Sequence, residues 1–482
     1  MESSSIKDKT QRQELKKEIG KLAFFSLAFG SMIGVGWVTA MGSWLNDAGP
    51  IGAALAFAAG GSMMLLIGLC YAEVTSMLPL AGGEVSYAYK AYGTQKSFIV
   101  GWFLAFGYLS VSAFEAISVG KVLSYLIPNL DFMPIYSIGG DPVYLSHILL
   151  AFGFTALITY INHKGAGTAT SFQVVLTIAI LLSAVLLMVA GFNTGNFENL
   201  EPAFGNRELP WEGFLAVMVT VPFWFVGFDT IPQSAEEAQT SVSPKLLGRL
   251  ILLSIASASL FYMVLIASTG MVSPWRDLLD ADLTTAAAFK DAFGGGWVTR
   301  VVLITALVGL ITSWNGFFLA CSRVIFALGR GNIIPASFGK THSKHGTPTN
   351  AILFCGAITF ISAFTGRQAM VAFVDVGSFC MAVAFLGVSF SLLTLRKKFP
   401  KMERPYKLKY AKLVGYSSAI VAIFILALML TPGSPVALIW PQEWLILLFV
   451  ITSGAIFWKV GTKSRNKISK KDRDKNILED YA

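Results

Sequence analysis

Glycines cluster inside one hydrophobic stretch of this sequence. Gly30-Ser31-Met32-Ile33-Gly34-Val35-Gly36 interrupts an apolar run from about Leu22 to Trp44. A second run, about Trp211 to Ala235, is interrupted by Pro222-Phe223-Trp224-Phe225-Val226-Gly227-Phe228-Asp229. In a bilayer, unwound backbone is tolerated only where protein encloses it or it lines a cavity. Such a break exposes two opposite chemistries. The half-helix that starts after it offers free N–H groups and the positive end of a dipole, which suits a carboxylate. The half-helix that ends before it leaves free carbonyls, which suit an ammonium group or a cation. In the first run the amides are those near Gly34, Val35 and Gly36, and the carbonyls those near Gly30 and Ser31. Carbonyls near Phe223 and Phe225 add to the cation end. An anion end beside a cation end fits the backbone of an α-amino acid. Phe223, Trp224, Phe225 and Phe228 either wall a pocket for its side chain or face lipid, and around a break one or two should turn inward.

Glu115 sits near the middle of the third apolar stretch. A carboxylate at that depth is costly and points to function by default. Three roles stay open: pairing with a cationic substrate, carrying a proton, or satisfying polar neighbours. Lys121 is off the Glu115 face, so no i,i+4 ion pair accounts for the acid. No enzyme constellation competes. His342 and His345 fall in a basic loop and read as solvated, and no glycine-rich phosphate loop with a lysine supports ATP-driven chemistry. Cys70, Cys321, Cys355 and Cys380 lie in apolar stretches without metal-ligand spacing and read as packing residues.

The elements that position these residues follow from composition. Only 13% of the 482 residues are charged, against about 25% in soluble domains. The mean hydropathy is +0.63, and long apolar runs recur, so the chain reads as one polytopic membrane domain. Twelve spans emerge, at about 22–46, 50–78, 97–127, 143–163, 166–191, 211–237, 246–272, 297–328, 348–366, 369–395, 412–432 and 437–459. Residues 1–21 form an N-terminal segment and 460–482 a polar tail, read as partly disordered and without an assigned role. No cleavable signal peptide is evident, because residues 1–20 are polar. Lysines and arginines collect at the N-terminus (Lys7, Lys9, Arg12, Lys16, Lys17, Lys21), after span 8, after span 10 and in the tail. Loops 128–142 and 430–443 have none. The positive-inside rule then puts both termini in the cytoplasm of a multi-pass protein of the cell membrane. The net charge of +9 thus reflects topology and contact with the lipid bilayer, and no nucleic-acid partner is expected.

The two broken spans are five steps apart, as if spans 1–5 (22–191) and 6–10 (211–395) were repeats, with spans 11 and 12 (412–459) outside them. Five is odd, so the second repeat is inverted, and broken spans at matching positions mark the site at the repeat interface. The glycines of span 2 (Gly52, Gly60, Gly61, Gly68) read instead as close helix packing. The expected fold class is an all-α polytopic membrane protein with 12 transmembrane helices, a 5+5 inverted repeat plus two extra helices, and helices 1 and 6 broken.

Five segments carry a wider resemblance: FGSMIGVGW at the first break, CYAEVTSMLPLAGGEVSYAYKAYG from Cys70, FWFVGFDTIPQSAEEAQ from Phe223, SRVIFALGRGNIIP from Ser322 and LRKKFPKMERPYKLKY from Leu395. In these the chain resembles the amino acid–polyamine–organocation (APC) family of permeases. The resemblance implies the LeuT-type fold and secondary active transport of amino acids or related amines by alternating access. It implies a substrate site at Ser31, Met32, Ile33, Gly34, Val35, Gly36, Phe223, Trp224, Phe225, Gly227 and Phe228, with Glu115. Asp229 stands where the family commonly has an acid, and either caps the inner half-helix or contacts substrate or coupling ion. Glu73 and Arg323 match family positions read as structural or gating, Glu236 and Glu237 read as gate contacts, and Ala81–Gly93 as a short helix capping the inner mouth. No enzyme activity and no cofactor beyond a coupling ion are expected.

For that ion the resemblance implies a sodium site made by the carbonyls of Gly30 and Ile33 with the hydroxyls of Thr312 and Ser313. Several sodium-independent members fill this place with a lysine from span 5. Here the matching place, near Ile180, is apolar, and Lys164 is too distant. The hydroxyls would otherwise bond to carbonyls one turn back. Sodium coupling, proton coupling and obligate exchange all stay open, as does an organic amine as substrate. Members that pair with a glycoprotein use a cysteine in the outward loop after span 3. Residues 128–142 contain none, so no disulfide-linked accessory chain is expected. Two other classes compete. A sensor would need a signalling domain, and a channel would need a continuous polar lining.

Overall fold

The computed structural model describes residues 12–127, 129–205, 209–281 and 283–481. Of the N-terminal segment, positions 1–11, with Lys7 and Lys9, lie outside them. The apolar runs fold as helices because each backbone polar group must find its partner within the segment in lipid. The order is α1 (Lys21–Met32), α2 (Gly36–Thr39), α3 (Met41–Met77), α4 (Glu84–Tyr92) and α5 (Thr94–Leu126). A hairpin of β1 (Pro134–Ile138) and β2 (Asp141–Tyr144) leads into α6 (Leu145–Lys164) and α7 (Ala166–Thr194). Then come α8 (Pro210–Met218), α9 (Val221–Trp224), α10 (Thr230–Ser234), α11 (Pro244–Val272), α12 (Thr284–Phe293) and α13 (Gly296–Arg330). The chain ends through α14 (Thr349–Ser362), α15 (Ala369–Lys398), α16 (Ala411–Leu430), α17 (Gln442–Arg465) and α18 (Lys470–Leu478).

Among the described residues, ten helices are long and apolar enough to cross a membrane, counting α1 and α2 together. The chain is a multi-pass membrane protein. The 37-residue α3 is two helices joined at a bend. Gly49 takes φ +67° there, and Pro50 restarts the helix. A Cβ on Gly49 would lie 2.4 Å from the Gly205 amide nitrogen, so the bend also needs the missing side chain.

Helices α1, α5 and α13 are the most enclosed of the long segments, and α7, α16 and α17 the least. The outer face of α7 shows Val175, Leu182, Val185 and Leu186, the apolar surface expected against lipid tails. Helix α5 packs on α13 and α15, α3 on α11, and α1 lies among α7, α11 and α13. All four cysteines are buried and free, and Cys321 and Cys355 touch at 3.4 Å between sulfurs.

The stretch read as an outward loop carries β1 and the start of β2, with Ile138 opposite Asp141, which its Gly139-Gly140 turn permits. Two expectations need correction. The tail is ordered: α18 buries Ile477 and Leu478 and is capped by Ser469, whose hydroxyl accepts from the Asp472 amide at 3.1 Å. His342 and His345 are not simply solvated. With His163 they form a triangle of rings whose centroids are 5.0 to 5.3 Å apart.

The basic end of the molecule is tied shut. Arg323 and Glu237, both buried, form a bidentate pair at 2.8 Å. Glu236 accepts from Arg330 at 2.6 and 2.7 Å and from Arg12 at 2.9 Å. Glu73 accepts from Arg396 and from the Leu408 amide, joining α3 to the segment after α15. The N-terminal segment adds a strand-like pairing, with the Ile19 amide donating to Glu237 and the Gln239 amide to Ile19.

Candidate functional site

The first break is narrower than the glycine cluster suggests. Helix α1 continues through Gly30 and Ser31 to Met32, and only Ile33, Gly34 and Val35 are unwound before α2 starts at Gly36. Ser31 bonds the carbonyl of Leu27 one turn back at 2.6 Å, so its hydroxyl supports the helix. The second break is split, with Val219 and Thr220 separating α8 from the single turn of α9 and a longer interruption after it. Pro222 lies in the first turn of α9, where its missing N–H costs nothing, and the longer unwound stretch is Phe225 to Asp229. The breaks lie against each other: a Cβ on Gly227, at φ +131°, would be 2.8 Å from Ser31 Cβ.

Between them opens a cavity of about 520 Å³. Ser31, Met32, Gly34, Val35 and Gly36 line one side, and Phe223, Trp224 and Val226 another. Glu115 and Ser313 face it from α5 and α13. Of the sequence-derived substrate residues, Ile33, Phe225, Gly227 and Phe228 do not line it. Phe225 is buried against Phe57 and Tyr262, and Phe228 against Tyr71 and Phe385. Two of the four aromatics therefore face the cavity, as alternation around an unwound turn allows. The sequence missed Phe114, Phe317 and Tyr262. Helical spacing gave a signal for Phe317, one turn beyond Ser313. Arg367, Met370 and Lys121 at the far end carried no such signal.

The end of α1 and the start of α2 both border the cavity. The first amides of α2 have no intrahelical acceptor. Tyr262 donates to the Met32 carbonyl at 3.0 Å, so one carbonyl at the end of α1 is already met. The indole of Trp224 lies close against Gly36, since a Cβ there would be 2.2 Å from its ring. Trp44 backs that indole at 5.2 Å.

Glu115 is buried, and Ser313 donates to its Oε1. Its Oε2 has no hydrogen-bond partner, and among the described residues no basic side chain pairs with it. A Cβ on Gly34 would lie 3.4 Å from Oε1, so the acid borders the first break directly. Asp229 behaves otherwise. Its Oδ1 accepts from the Gly227 amide at 2.9 Å and its Oδ2 from Tyr108 at 2.7 Å, and it does not line the cavity.

Both hydroxyls considered for sodium have other engagements. Thr312 donates to Gly309 at 2.7 Å, and Ser313 to Leu310 as well as Glu115. Between α1 and α13 lies the amide of Gln173, which donates to Thr312 O at 3.0 Å and to Ser26 O at 3.3 Å. A Cβ on Gly30 would be 2.6 Å from both Gln173 Nε2 and Thr177 Oγ1. The place read as apolar from Ile180 is thus polar, filled from earlier turns of α7. An amide nitrogen there is a donor and repels a metal ion, so these residues do not fit one in this arrangement.

At the cavity's far end Asp131 joins Ser124, His147 and Arg367. Partial burial opposes ionisation there, but the Ser124 hydroxyl, His147 and Arg367 outweigh it and hold the carboxyl below its ordinary range.

The family model described as amino acid permease matches residues 19–456. The chain is similar to the branched-chain amino acid permease BcaP of Bacillus subtilis (strain 168), 26% identical over 449 residues, covering 91% of this chain and 93% of that protein. It is 29% identical over 420 residues to Asc-type amino acid transporter 1 of Mus musculus, covering 84% and 76%. It is 24% identical over 476 residues to the methylthioribose transporter of Bacillus subtilis (strain 168), covering 97% and 98%.

Proposed function

Because this chain belongs to the amino acid permease family, we propose that it carries an α-amino acid with an apolar side chain through the cavity between the two breaks, by alternating access, in exchange for proton-motive energy. The observation that carries this reading is the cavity itself. It joins the amide end of α2, an aromatic wall and one unpaired carboxyl group. The substrate carboxylate sits on the amides of Gly34, Val35 and Gly36. Its ammonium group faces the carbonyl end of α1, and its side chain lies against Phe223 and Trp224. The name of the Bacillus branched-chain permease agrees with an apolar pocket, whereas that of the methylthioribose transporter widens the field.

Twelve crossings follow if the broken segment 210–237 and the shorter apolar helix 349–365 are added to the ten long ones. Breaks five crossings apart support the inverted 5+5 repeat of the LeuT type. The basic end, with its arginine–glutamate ties, is then cytoplasmic, and the cavity opens toward Lys121 and Arg367 on the outside of the cell membrane.

Glu115 is the coupling group in this reading. An unpaired carboxylate in a membrane interior is costly, and a proton removes the charge. Sodium coupling is the weaker reading, because Gln173 occupies its crevice. A cationic substrate paired with Glu115 is the second reading, favoured by the same free oxygen.

The test is counterflow of labelled amino acids in proteoliposomes holding the purified full-length protein. A panel of the twenty amino acids and common polyamines identifies the substrate. Apolar amino acids should exchange and accumulate on an inward proton gradient, and replacing sodium by choline should not change the rate. Absence of counterflow across the whole panel would refute transport of these solutes. A fall in choline would return the ion to Gly30, Ile33, Thr312 and Ser313.

A further inference from the structure

A second carboxyl group is buried without a counter-charge, away from the cavity. Glu84, the first residue of α4, is 0% exposed. Gln233 of α10 donates its Nε2 to Glu84 Oε2. Glu84 Oε1 lies beside the Tyr71 hydroxyl, the two groups being close enough to interact though not in ideal hydrogen-bond geometry, and Gln233 Oε1 has no partner. An anion with no cation is poorly held in such a place. Gln233 and Tyr71 can each give a carboxylate here one donor, but no positive charge offsets its burial, and a proton removes that charge. Gln233 serves either state. As it stands its NH₂ donates to the carboxyl; turned over, its oxygen would accept from a carboxylic acid at the cost of the bond to the Asp229 carbonyl.

Among the described residues the surroundings offer hydrogen-bond donors but no positive charge. Asp229 from the second break, Tyr71 from α3, Tyr87 from α4 itself and Tyr108 from α5 are the titratable neighbours, and Asp229 opposes a second negative charge. Helix α15 brings the ring of Phe385. Arg323 of α13 commits Nε and Nη2 to Glu237 and Nη1 to Ser322. Lys90 and Lys398 bond carbonyls of Tyr481 and Ala91 at the other end of α4, and Asp474 of α18 is held by Tyr89.

Glu84 is also wired to the break. Gln233 Nε2 donates to the Asp229 carbonyl at 3.2 Å, and the Asp229 carboxyl holds Tyr108 and the Gly227 amide. Tyr108 lies two helical turns before Glu115 on the same face of α5. Helix α4 meets α10 closely, since a Cβ on Gly83 would be 2.7 Å from Pro232 Cβ.

We infer that Glu84 is the inner proton-binding group of the transport cycle. It holds its proton while α4 is closed on α10. When that joint opens, the carboxyl O–H breaks, the proton passes to water on the basic side, and the carboxylate is left hydrated. This rests on the proton-driven reading of the cavity.

The experiment compares wild type, Glu84→Gln and Glu84→Asp as full-length proteins in proteoliposomes carrying an internal pH dye. The tritiated amino acid with the strongest wild-type counterflow is the probe. Glu84→Gln should lose accumulation driven by the proton gradient and the accompanying dye signal, while counterflow survives, because Glu84 does not line the cavity. Infrared difference spectra of the purified protein should lose one protonated-carboxyl band in Glu84→Gln. Driven accumulation at the wild-type level in Glu84→Gln, or an unchanged carboxyl band, would overturn the assignment. Should Glu84→Gln not fold, Glu84→Asp must shift the pH midpoint of driven uptake, and an unshifted midpoint overturns it equally. Wild-type counterflow without any proton-driven accumulation would defeat this inference and leave amino acid transport standing, whereas no wild-type counterflow would defeat the transport reading itself.

Discussion

At the scale of single residues, two glycines separate binding from packing. Gly34 faces Glu115 and Ser313 with only enough room for a methyl group, a Cβ lying 3.4 and 3.3 Å from their oxygens. Gly34→Leu should therefore abolish uptake while the protein still inserts and elutes as a single species. Normal uptake by that variant would remove the carboxylate from this end of α2. Gly36→Ala drives a Cβ into the Trp224 ring, so the indole must leave Trp44. Quenching or shift of tryptophan fluorescence would report that move, and an unmoved spectrum would contradict it. Glu115→Gln distinguishes the two readings of its free oxygen. Loss of gradient-driven uptake with exchange intact marks a proton carrier, and selective loss of cationic substrates marks an ion-pair partner. These residues were legible because glycine in a broken apolar run and acid in an intact one are both anomalies against a uniform background. Gln173 was not, because an amide in a span carries no charge to flag it, and its reach into the α1–α13 crevice depends on packing that periodicity does not encode.

At the scale of elements, the breaks depend on how two unwound turns share one space. Gly227 sits at φ +131° against Ser31 and the Met32 amide. Gly227→Ala pairs backbone strain with a clash, and should lower the melting temperature of the purified protein even with substrate present; an unchanged melting curve would place the contact elsewhere. Break boundaries were read too widely from sequence, since glycine and proline are tolerated inside helix turns when the ladder is otherwise complete. The loop 340–348 makes a pH-dependent element. Partial desolvation and the charges of His342, His163, Lys164 and Lys344 lower the proton affinity of His345. A base whose affinity falls on folding stabilises the fold in its neutral form, so that contribution is intact above about pH 6.5 and lost as acid protonates it. Thr347 bonds the His163 carbonyl, and Lys16 bonds that of Lys344. Amide exchange across residues 342–347, corrected for intrinsic rates, should thus quicken at about pH 5.5 relative to about pH 7.5. Equal protection at both values would leave the ring triangle without a role in pH response.

At the scale of the whole molecule, the proposed alternating access gives the ties at the basic end the role of a gate. Removing one partner of a buried pair leaves the other charge uncompensated, a cost of about 3–5 kcal/mol. Glu237→Gln should therefore destabilise the closed arrangement around Arg323, and cysteines introduced behind the pair should label faster from the basic side. Labelling at the wild-type rate would show that other contacts keep this end shut. The ten long apolar helices were readable from hydropathy, whereas the short α4 and the gate contacts of Glu236 and Glu237 came from the family resemblance. The docked tail was not readable, because α18 is polar almost throughout and its two apolar anchors, Ile477 and Leu478, make too small a pattern to separate from disorder.

That tail has a consequence for anyone who wishes to watch the molecule work. Arg12 meets Glu479 at 3.1 Å and the Asn476 carbonyl at 3.3 Å, so the two ends of the described chain touch beneath the same gate. Noncovalently, the described polypeptide is closed into a ring whose clasp lies beside the arginine–glutamate ties that the proposed cycle would open. Fluorophores placed near positions 12 and 479 would sit within transfer range of one another, and the distance between them would record each opening without any label in the membrane. A bulky fusion joined directly after the clasp would act as a wedge, whereas one joined through a long flexible linker would leave the ring closed.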